Sequence, residues 1–344
     1  MARMSSALER KLLVVTGKGG VGKTTVAAAL GLAAARRGLR TIVVELGDQR
    51  RLPALFAAGT GRDDADLHAT AESRVGGVEE ARGAEPATRD TDREAPAGAE
   101  ISLAENLWSV TIDPDRALLE WLQKLGGRVP GRVLATSGTF QYFTAAAPGA
   151  KELVSMVKIW ELTQAARWRR RAGGYDLVVL DAPATGHALG LLRSPHTFGA
   201  IARVGPIFGQ AEKVRELLQD ATRTGYLAVT HPTEMAVGET LDLSAGLRSQ
   251  LGCELDAVIV NATLPRRFQA SELTRIARLD GGSPVRRSAV RAAQTVHERA
   301  RVQQNQIAHL RRHCSTVLSV PFVFAGELDL QAVRRIGERL IRGL

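Results

Sequence analysis

Cysteine is almost missing from this chain: Cys253 and Cys314 are the only two among 344 residues. Two thiols rule out a disulfide scaffold, a four-cysteine zinc site and a cysteine-held iron–sulfur cluster within one chain. Aromatic residues make up only 4%, and just seven of the 46 basic residues are lysine. Surfaces that grip nucleic acid set lysine and stacking aromatics beside arginine. The net charge of +10 is therefore expected to be a solvated, arginine-rich surface, and nucleic acid is not the expected partner. No apolar run reaches the roughly 18 residues of a membrane span. The opening MARMSSALERKLLVV holds no stretch long enough for a secretory leader, so the expected compartment is the cytoplasm. With 44% hydrophobic residues, the chain can bury the core of one large α/β domain or of two modest ones.

Apolar runs that end in turns place buried strands at 11–16, 41–45, 107–112, 175–180, 225–230, 255–260 and 316–320. The stretch TTVAAALGLAAARR at 24–37 is a strong helix former closed by Gly38. Strand, loop, helix and strand in this order open a doubly wound α/β fold, a mostly parallel sheet flanked by helices. At 61–100 the composition changes: there is no aromatic residue, and eleven acids face five arginines. Such a stretch cannot bury enough apolar area to offset its ordering entropy, so it is expected to be a mobile insertion. Residues 113–172 show helical apolar periodicity, with Asp113-Pro114 as N-cap and first-turn proline. The expectation is a single α/β domain over 1–344 that carries this helical subdomain.

Residues 17–25 read GKGGVGKTT and satisfy G-x-x-x-x-G-K-[ST] with Gly17, Gly22, Lys23 and Thr24. Gly17, Gly19, Gly20 and Gly22, with Val21 among them, let several backbone N–H groups turn toward one anion. That anion would sit at the positive end of the following helix, with Thr25 in its first turn. Lys23 is expected to reach the β- and γ-phosphates of ATP, and the Thr24 hydroxyl to ligate Mg²⁺. Asp181 follows the strand run DLVVL, where α/β folds place their ligands. It is the carboxylate expected to hold a Mg²⁺-bound water. The loop after it, APATGHALGLL, is placed to sense a γ-phosphate and to shift on hydrolysis.

Together these segments resemble the ArsA-type ATPases, a P-loop group of the SIMIBI kind. It includes the arsenite-pump motor and the Get-pathway ATPase for tail-anchored membrane proteins. GKGGVGKTT is similar to the group's deviant Walker A loop, and DAPATGHALGLL at 181–192 to its second switch. HPTEMAVGETL at 231–241 resembles its P-E-x-x-x-x-E-T segment, and APGAKE at 147–152 the opening of its helical subdomain. Within the group the pattern is most similar to the short actinobacterial members.

The resemblance, spread over about 12–262, implies a homodimer in which Lys18 crosses to the partner's nucleotide, with the logic of an arginine finger. It also implies that Asn261 and the backbone near Pro321 contact adenine. Three departures stand out. Gly47 occupies the place of the aspartate that orients the attacking water, leaving Asp48 and Glu45 as candidates and slow hydrolysis as the expectation. Cys253 and Cys314 lie beside separate strands and are expected to be small buried hydrophobes, so no arsenite site is evident. The C-x-x-C through which targeting members share zinc is absent.

Three further features allow two readings each. Trp121, Leu122, Phe140, Phe143, Val154, Met156, Val157, Ile159 and Trp160 form either core or an apolar groove for a client helix. The arginines and histidines of 266–313 are expected to be a solvated basic helical face rather than a metal site. The terminal LDLQAVRRIGERLIRGL is amphipathic, with Leu330, Val333, Ile336, Leu340 and Ile341 on one side. It either packs back on the sheet or lies peripherally on a membrane, as the tail of MinD does. The expected activity is Mg²⁺-dependent ATP hydrolysis by a homodimer that acts on a protein client or a membrane-protein partner. Two alternatives are a nucleotide-dependent scaffold with little hydrolysis and a ParA- or MinD-like positioning ATPase.

Overall fold

The computed structural model describes residues 7–47, 51–60, 98–126, 149–165, 173–202, 206–278, 283–324 and 328–343. The chain begins with β1 (Leu12–Gly17), α1 (Lys23–Ala35), β2 (Thr41–Leu46) and α2 (Arg51–Thr60). Then come β3 (Glu100–Ala104), β4 (Leu107–Ile112), α3 (Pro114–Gly126), α4 (Ala150–Leu162) and β5 (Leu177–Ala184). They are followed by α5 (Thr185–Ala202), α6 (Pro206–Gln219), β6 (Thr224–Thr230), α7 (Glu234–Leu251) and β7 (Ala257–Thr263). The last are α8 (Ala270–Ala277), α9 (Pro284–His313), β8 (Val317–Pro321) and α10 (Leu330–Gly343). The eight strands form one sheet in the order β3-β4-β2-β5-β1-β6-β7-β8. Every neighbouring pair is parallel except β3 with β4. This is the doubly wound α/β fold expected from the strand pattern.

Side chains alternate across the pleat, so each central strand feeds two cores. Leu12 and Val14 of β1 join one core with α3 to α7; Leu13 and Val15 join the other with α1, α2 and α10. Burial on both sides explains why the sequence of β1 is a continuous apolar run. Helix α1 is buried nearly all round, Val26 through Ala35 included, because the sheet lies under it and α10 over it. Alanine suits that position, adding helix propensity and little bulk. A Cβ on Gly337 of α10 would stand 2.4 Å from the Ala29 carbonyl oxygen, so the two helices meet backbone to backbone. Ala332, Val333, Ile336 and Leu340 are buried in this contact. The apolar side of the terminal helix is thus taken up by α1, which favours its packing reading over the membrane one.

The structure moves several boundaries. β5 does not stop at Leu180 but runs on to Ala184, because its parallel pairing with β1 continues to Gly17 opposite Ala184. β3 was not foreseen; it pairs antiparallel on the sheet's outer edge. Asp113 caps α3, its Oδ1 accepting from the Asp115 N–H at 2.9 Å. Trp121, Val154, Met156, Val157 and Ile159 are buried in the same core as β1 and β2, and Trp160 packs half-buried against it, so these residues are core rather than an open groove. Phe140 and Phe143, most of the 61–100 insertion and the start of the 147–152 motif lie outside the described residues. Only Val290, Ala300, Ile307 and Leu310 are buried in the 30-residue α9, as a solvated basic face requires. Among the described residues no helix is long and apolar enough to cross a membrane.

Candidate functional site

The site gathers at the carboxyl ends of β1, β2 and β5, where a parallel sheet opens to ligands. Gly17 ends β1 at φ +145°, and a Cβ there would lie 2.0 Å from the Val229 carbonyl oxygen. β1 and β6 therefore meet at a point where no side chain fits. The loop then turns through Gly20 and Gly22, both at positive φ, and α1 starts at Lys23. No side chain caps this helix. Its first-turn N–H groups and the helix dipole face the loop, ready for an anion. Gly19, Val21 and Thr25 belong to the same turn.

The Thr24 hydroxyl donates to Asp181 Oδ2 at 2.5 Å. Asp181 Oδ1 is buried without a hydrogen-bond partner. Burial pushes the Asp181 carboxyl above its ordinary range, against the pull of the Thr24 bond and the Lys23 charge. Burial also lowers the Lys23 ammonium, which Asp181 opposes. Lys23 Nζ donates to the Lys18 carbonyl oxygen at 3.1 Å. Lys23, Thr24 and Asp181 line a cavity of about 800 Å³ that also takes in Arg51 and Glu45. A hydroxyl beside a carboxylate with one unengaged oxygen is a hard donor set that fits Mg²⁺, an ion bound by few protein oxygens.

Glu45 is 4% exposed. Its Oε1 accepts from the Arg51 N–H at 3.0 Å and its two oxygens from the Leu52 N–H at 3.3 Å. Its carboxylate thus serves the start of α2. Burial pushes its pKa from the ordinary 4.5 up to about 7, overriding these hydrogen bonds. Between those values the folded chain keeps a proton that the unfolded chain has released. The resulting contribution to stability is present in acid and is lost as pH rises toward 7. Urea unfolding of the wild type is expected to show this loss, about 3 kcal/mol at most, between pH 5 and 7.5. Glu45→Gln should flatten that slope; an unchanged slope would remove Glu45 as its source. Gly47 follows at φ +104°, and Asp48, the other water-orienting candidate, lies outside the described residues.

Lys18 does not point into its own cavity; its Nζ meets Glu239 Oε1 at 2.5 Å. Asn261 Nδ2 donates to the Val21 carbonyl at 2.9 Å, which ties β7 to the phosphate loop. Pro321 ends β8, and the next residue, Phe322, donates its N–H to the Thr263 carbonyl at 3.0 Å. Beside these two strand ends opens a second, apolar cavity of about 1020 Å³, with Ala262, Phe322 and Phe324 in its wall. Cys253 is buried, its thiol within 3.5 Å of the Leu218 and Leu251 carbonyls, and Cys314 is half-buried.

Two residues of this neighbourhood escaped the sequence reading. Arg51 stands near Asp181 and Lys23, and nothing in its sequence surroundings marks it. Glu239 sits inside the segment HPTEMAVGETL, yet only the fold reveals its contact with Lys18.

The CobQ/CobB/MinD/ParA nucleotide binding domain model matches residues 12–305. The chain is 28% identical to ATPase BagA of Mycobacterium tuberculosis over 270 residues, 78% of this chain and 69% of that protein. It is 26% identical to ATPase GET3C of Arabidopsis thaliana over 296 residues, 76% of this chain and 69% of that one. With ATPase ARSA1 of Chlamydomonas reinhardtii it shares 24% over 315 residues, 75% of this chain and 36% of the other. These similarities agree with the resemblance to ArsA-type ATPases carried by the loop and switch motifs. A domain match over most of its length, on a sheet that presents the phosphate loop at its open end, shows that this chain belongs to the CobQ/CobB/MinD/ParA nucleotide-binding family.

Proposed function

We propose that the protein is a Mg²⁺-dependent ATPase that works as a homodimer and uses its nucleotide state to act on a protein client or a membrane-protein partner. Relatives named as ATPases support hydrolysis in general. The observation that carries the reading is the Thr24–Asp181 pair, 2.5 Å apart beside the glycine loop. In this reading the N–H groups of 17–25 and the Lys23 ammonium hold the phosphates. Thr24 and Asp181 hold Mg²⁺, which when bound offsets charge on the β- and γ-phosphates. Asn261 and Pro321 flank the base, next to the apolar cavity. Lys18 of one protomer serves the nucleotide of its partner.

The junction of β5 and α5 is the element suited to respond to phosphate loss. The Thr16 hydroxyl donates to the Pro183 carbonyl at 3.1 Å, and the Thr185 hydroxyl to Glu239 Oε2 at 3.5 Å. A shift there pulls on both β1 and α7. One observation favours the slower, scaffold-like alternative: the Glu45 carboxylate is engaged by α2 and so is not poised over a water.

The deciding experiment measures ATP hydrolysis and oligomeric mass together, with Mg²⁺ and either ATP or ADP. The wild type is expected to dimerise with ATP, and Lys18→Ala to lose roughly 10³-fold in turnover, the scale of a cation supplied in trans. Turnover indifferent to Lys18 would overturn the dimer mechanism. ATP-driven dimers without turnover would leave the scaffold.

A further inference from the structure

Lys18 is held inside its own chain by more than one group. Its Nζ donates to Glu239 Oε1 at 2.5 Å and lies 2.7 Å from Met235 Sδ. Met235 and Glu239 stand four residues apart on one face of α7, so the two contacts come from a single rigid surface. The second oxygen of Glu239 accepts from Thr185, the first residue of α5. At the other end of the same residue, the Lys18 carbonyl accepts from Lys23 Nζ at 3.1 Å. Both lysines of the loop are thus occupied by the protein itself.

We infer that Glu239 is a positioning residue for the proposed reaction: it retains Lys18 in cis, away from the partner's nucleotide, until phosphate arrives. The inference rests on the cross-subunit role proposed for Lys18. Two events loosen the hold. Phosphate entering the loop competes for Lys23 and frees the Lys18 carbonyl. Movement at Thr185 withdraws a hydrogen bond from Glu239. The ammonium and carboxylate side chains are 32% and 37% exposed, so water and salt screen their attraction. A screened pair of this kind is strong enough to bias the side chain and weak enough for a polyphosphate to displace it.

The test titrates ATP with Mg²⁺ into the full chain at fixed protein concentration and reads the dimer fraction and the hydrolysis rate. The variants are Glu239→Gln, Lys18→Ala and the double substitution. Glu239→Gln is expected to reach half-maximal dimer at about 2- to 5-fold less ATP, the equilibrium factor of an exposed ion pair. Its apparent KM should fall more than its kcat changes, and the shift should shrink in high salt. The double variant should behave as Lys18→Ala does, because Glu239 acts through that lysine. If Glu239→Gln folds poorly, Glu239→Asp, which keeps the charge but draws it back by one methylene, should shift in the same direction by less. Dimerisation of Glu239→Gln at the wild-type ATP concentration or above it, with Lys18→Ala still defective, would overturn the retaining role and spare the cross-subunit reading. A Lys18→Ala variant that dimerises and turns over like the wild type would overturn both.

Discussion

Asp181→Asn is expected to lower ATP hydrolysis by about 10²- to 10³-fold and at the same time to leave the folded chain equally stable or up to about 2 kcal/mol more stable. The two effects share one cause. Asp181 is a carboxylate largely out of water, with Oδ1 unpartnered and its pKa raised by burial. A charge in such a place weakens the empty protein, and a neutral amide of similar shape relieves that cost. The amide oxygen still accepts from the Thr24 hydroxyl, so local packing is preserved. What the amide does not supply is the negative charge that would hold Mg²⁺. Steady-state hydrolysis and urea melts without nucleotide measure the two halves. A third measurement adds Mg²⁺ and ADP: the stabilisation that ligand binding gives the wild type should shrink in the variant. Hydrolysis near the wild-type rate would remove Asp181 from the metal site. A stability loss beyond about 2 kcal/mol would mean that the carboxylate holds the fold rather than an ion.

Gly17→Ala is the second large effect, and here stability and binding should fall together. The new Cβ would lie 2.0 Å from the Val229 carbonyl oxygen and 3.0 Å from its carbon. That neighbour is backbone in a central strand, so it cannot swing aside as a side chain does. The residue also sits at φ +145°, a region L-residues rarely adopt. Overpacking and backbone strain each cost about 1–3 kcal/mol, and the relief route is separation of β1 from β6, which moves the phosphate loop. The expected result is a loss of about 3 kcal/mol or more, together with loss of detectable binding of a fluorescent ATP analogue. Gly20→Ala is the control. It has φ +81° but nothing within 4 Å of its added Cβ, so only the backbone cost of about 1 kcal/mol should appear. Equal effects at the two glycines would show that the close approach to Val229 carries no weight.

What the sequence made legible follows from distance along the chain. The phosphate loop is a local device, and nine consecutive residues contain all of its logic, so it was readable at once. Asp181 was found because a buried parallel strand leaves a continuous apolar run that ends where the ligand side begins. The apolar run ends at Leu180 and the strand does not, since Ala182, Pro183 and Ala184 carry no strand signal. They are held in the sheet by β1, whose register no local pattern encodes. β3 was missed for a related reason. EISLA follows a long polar stretch and pairs on one side only, so its alternation is brief and its flanks are uninformative. The contact of Lys18 with Glu239 spans 221 positions. Lys18 itself stood out by its place after the first glycine, whereas its carboxylate became visible only once α7 was set beside the loop. The first switch is the least legible part: Glu45 was a candidate for handling water, and its place at the start of α2 depends on a helix the apolar periodicity did not announce.

The meeting of Gly337 with the Ala29 backbone bears on how the chain comes to be built. β1 and α1 are translated before the other described elements, yet β1 finds its neighbours only at Leu177–Ala184 and Thr224–Thr230. Among the described residues the outer side of α1 is covered mainly by α10, later in sequence than every other described element. Until β5 and β6 emerge β1 stays unpaired, and until α10 emerges the alanine-rich helix lacks its cover. Pairings of this separation close slowly and leave intermediates with exposed apolar surface. The phosphate-gripping loop is thus translated well before the segments that complete its surroundings. Shortening α10 would therefore leave the alanine-rich side of α1 bare after synthesis, and aggregation would be its first sign, ahead of any change in nucleotide binding.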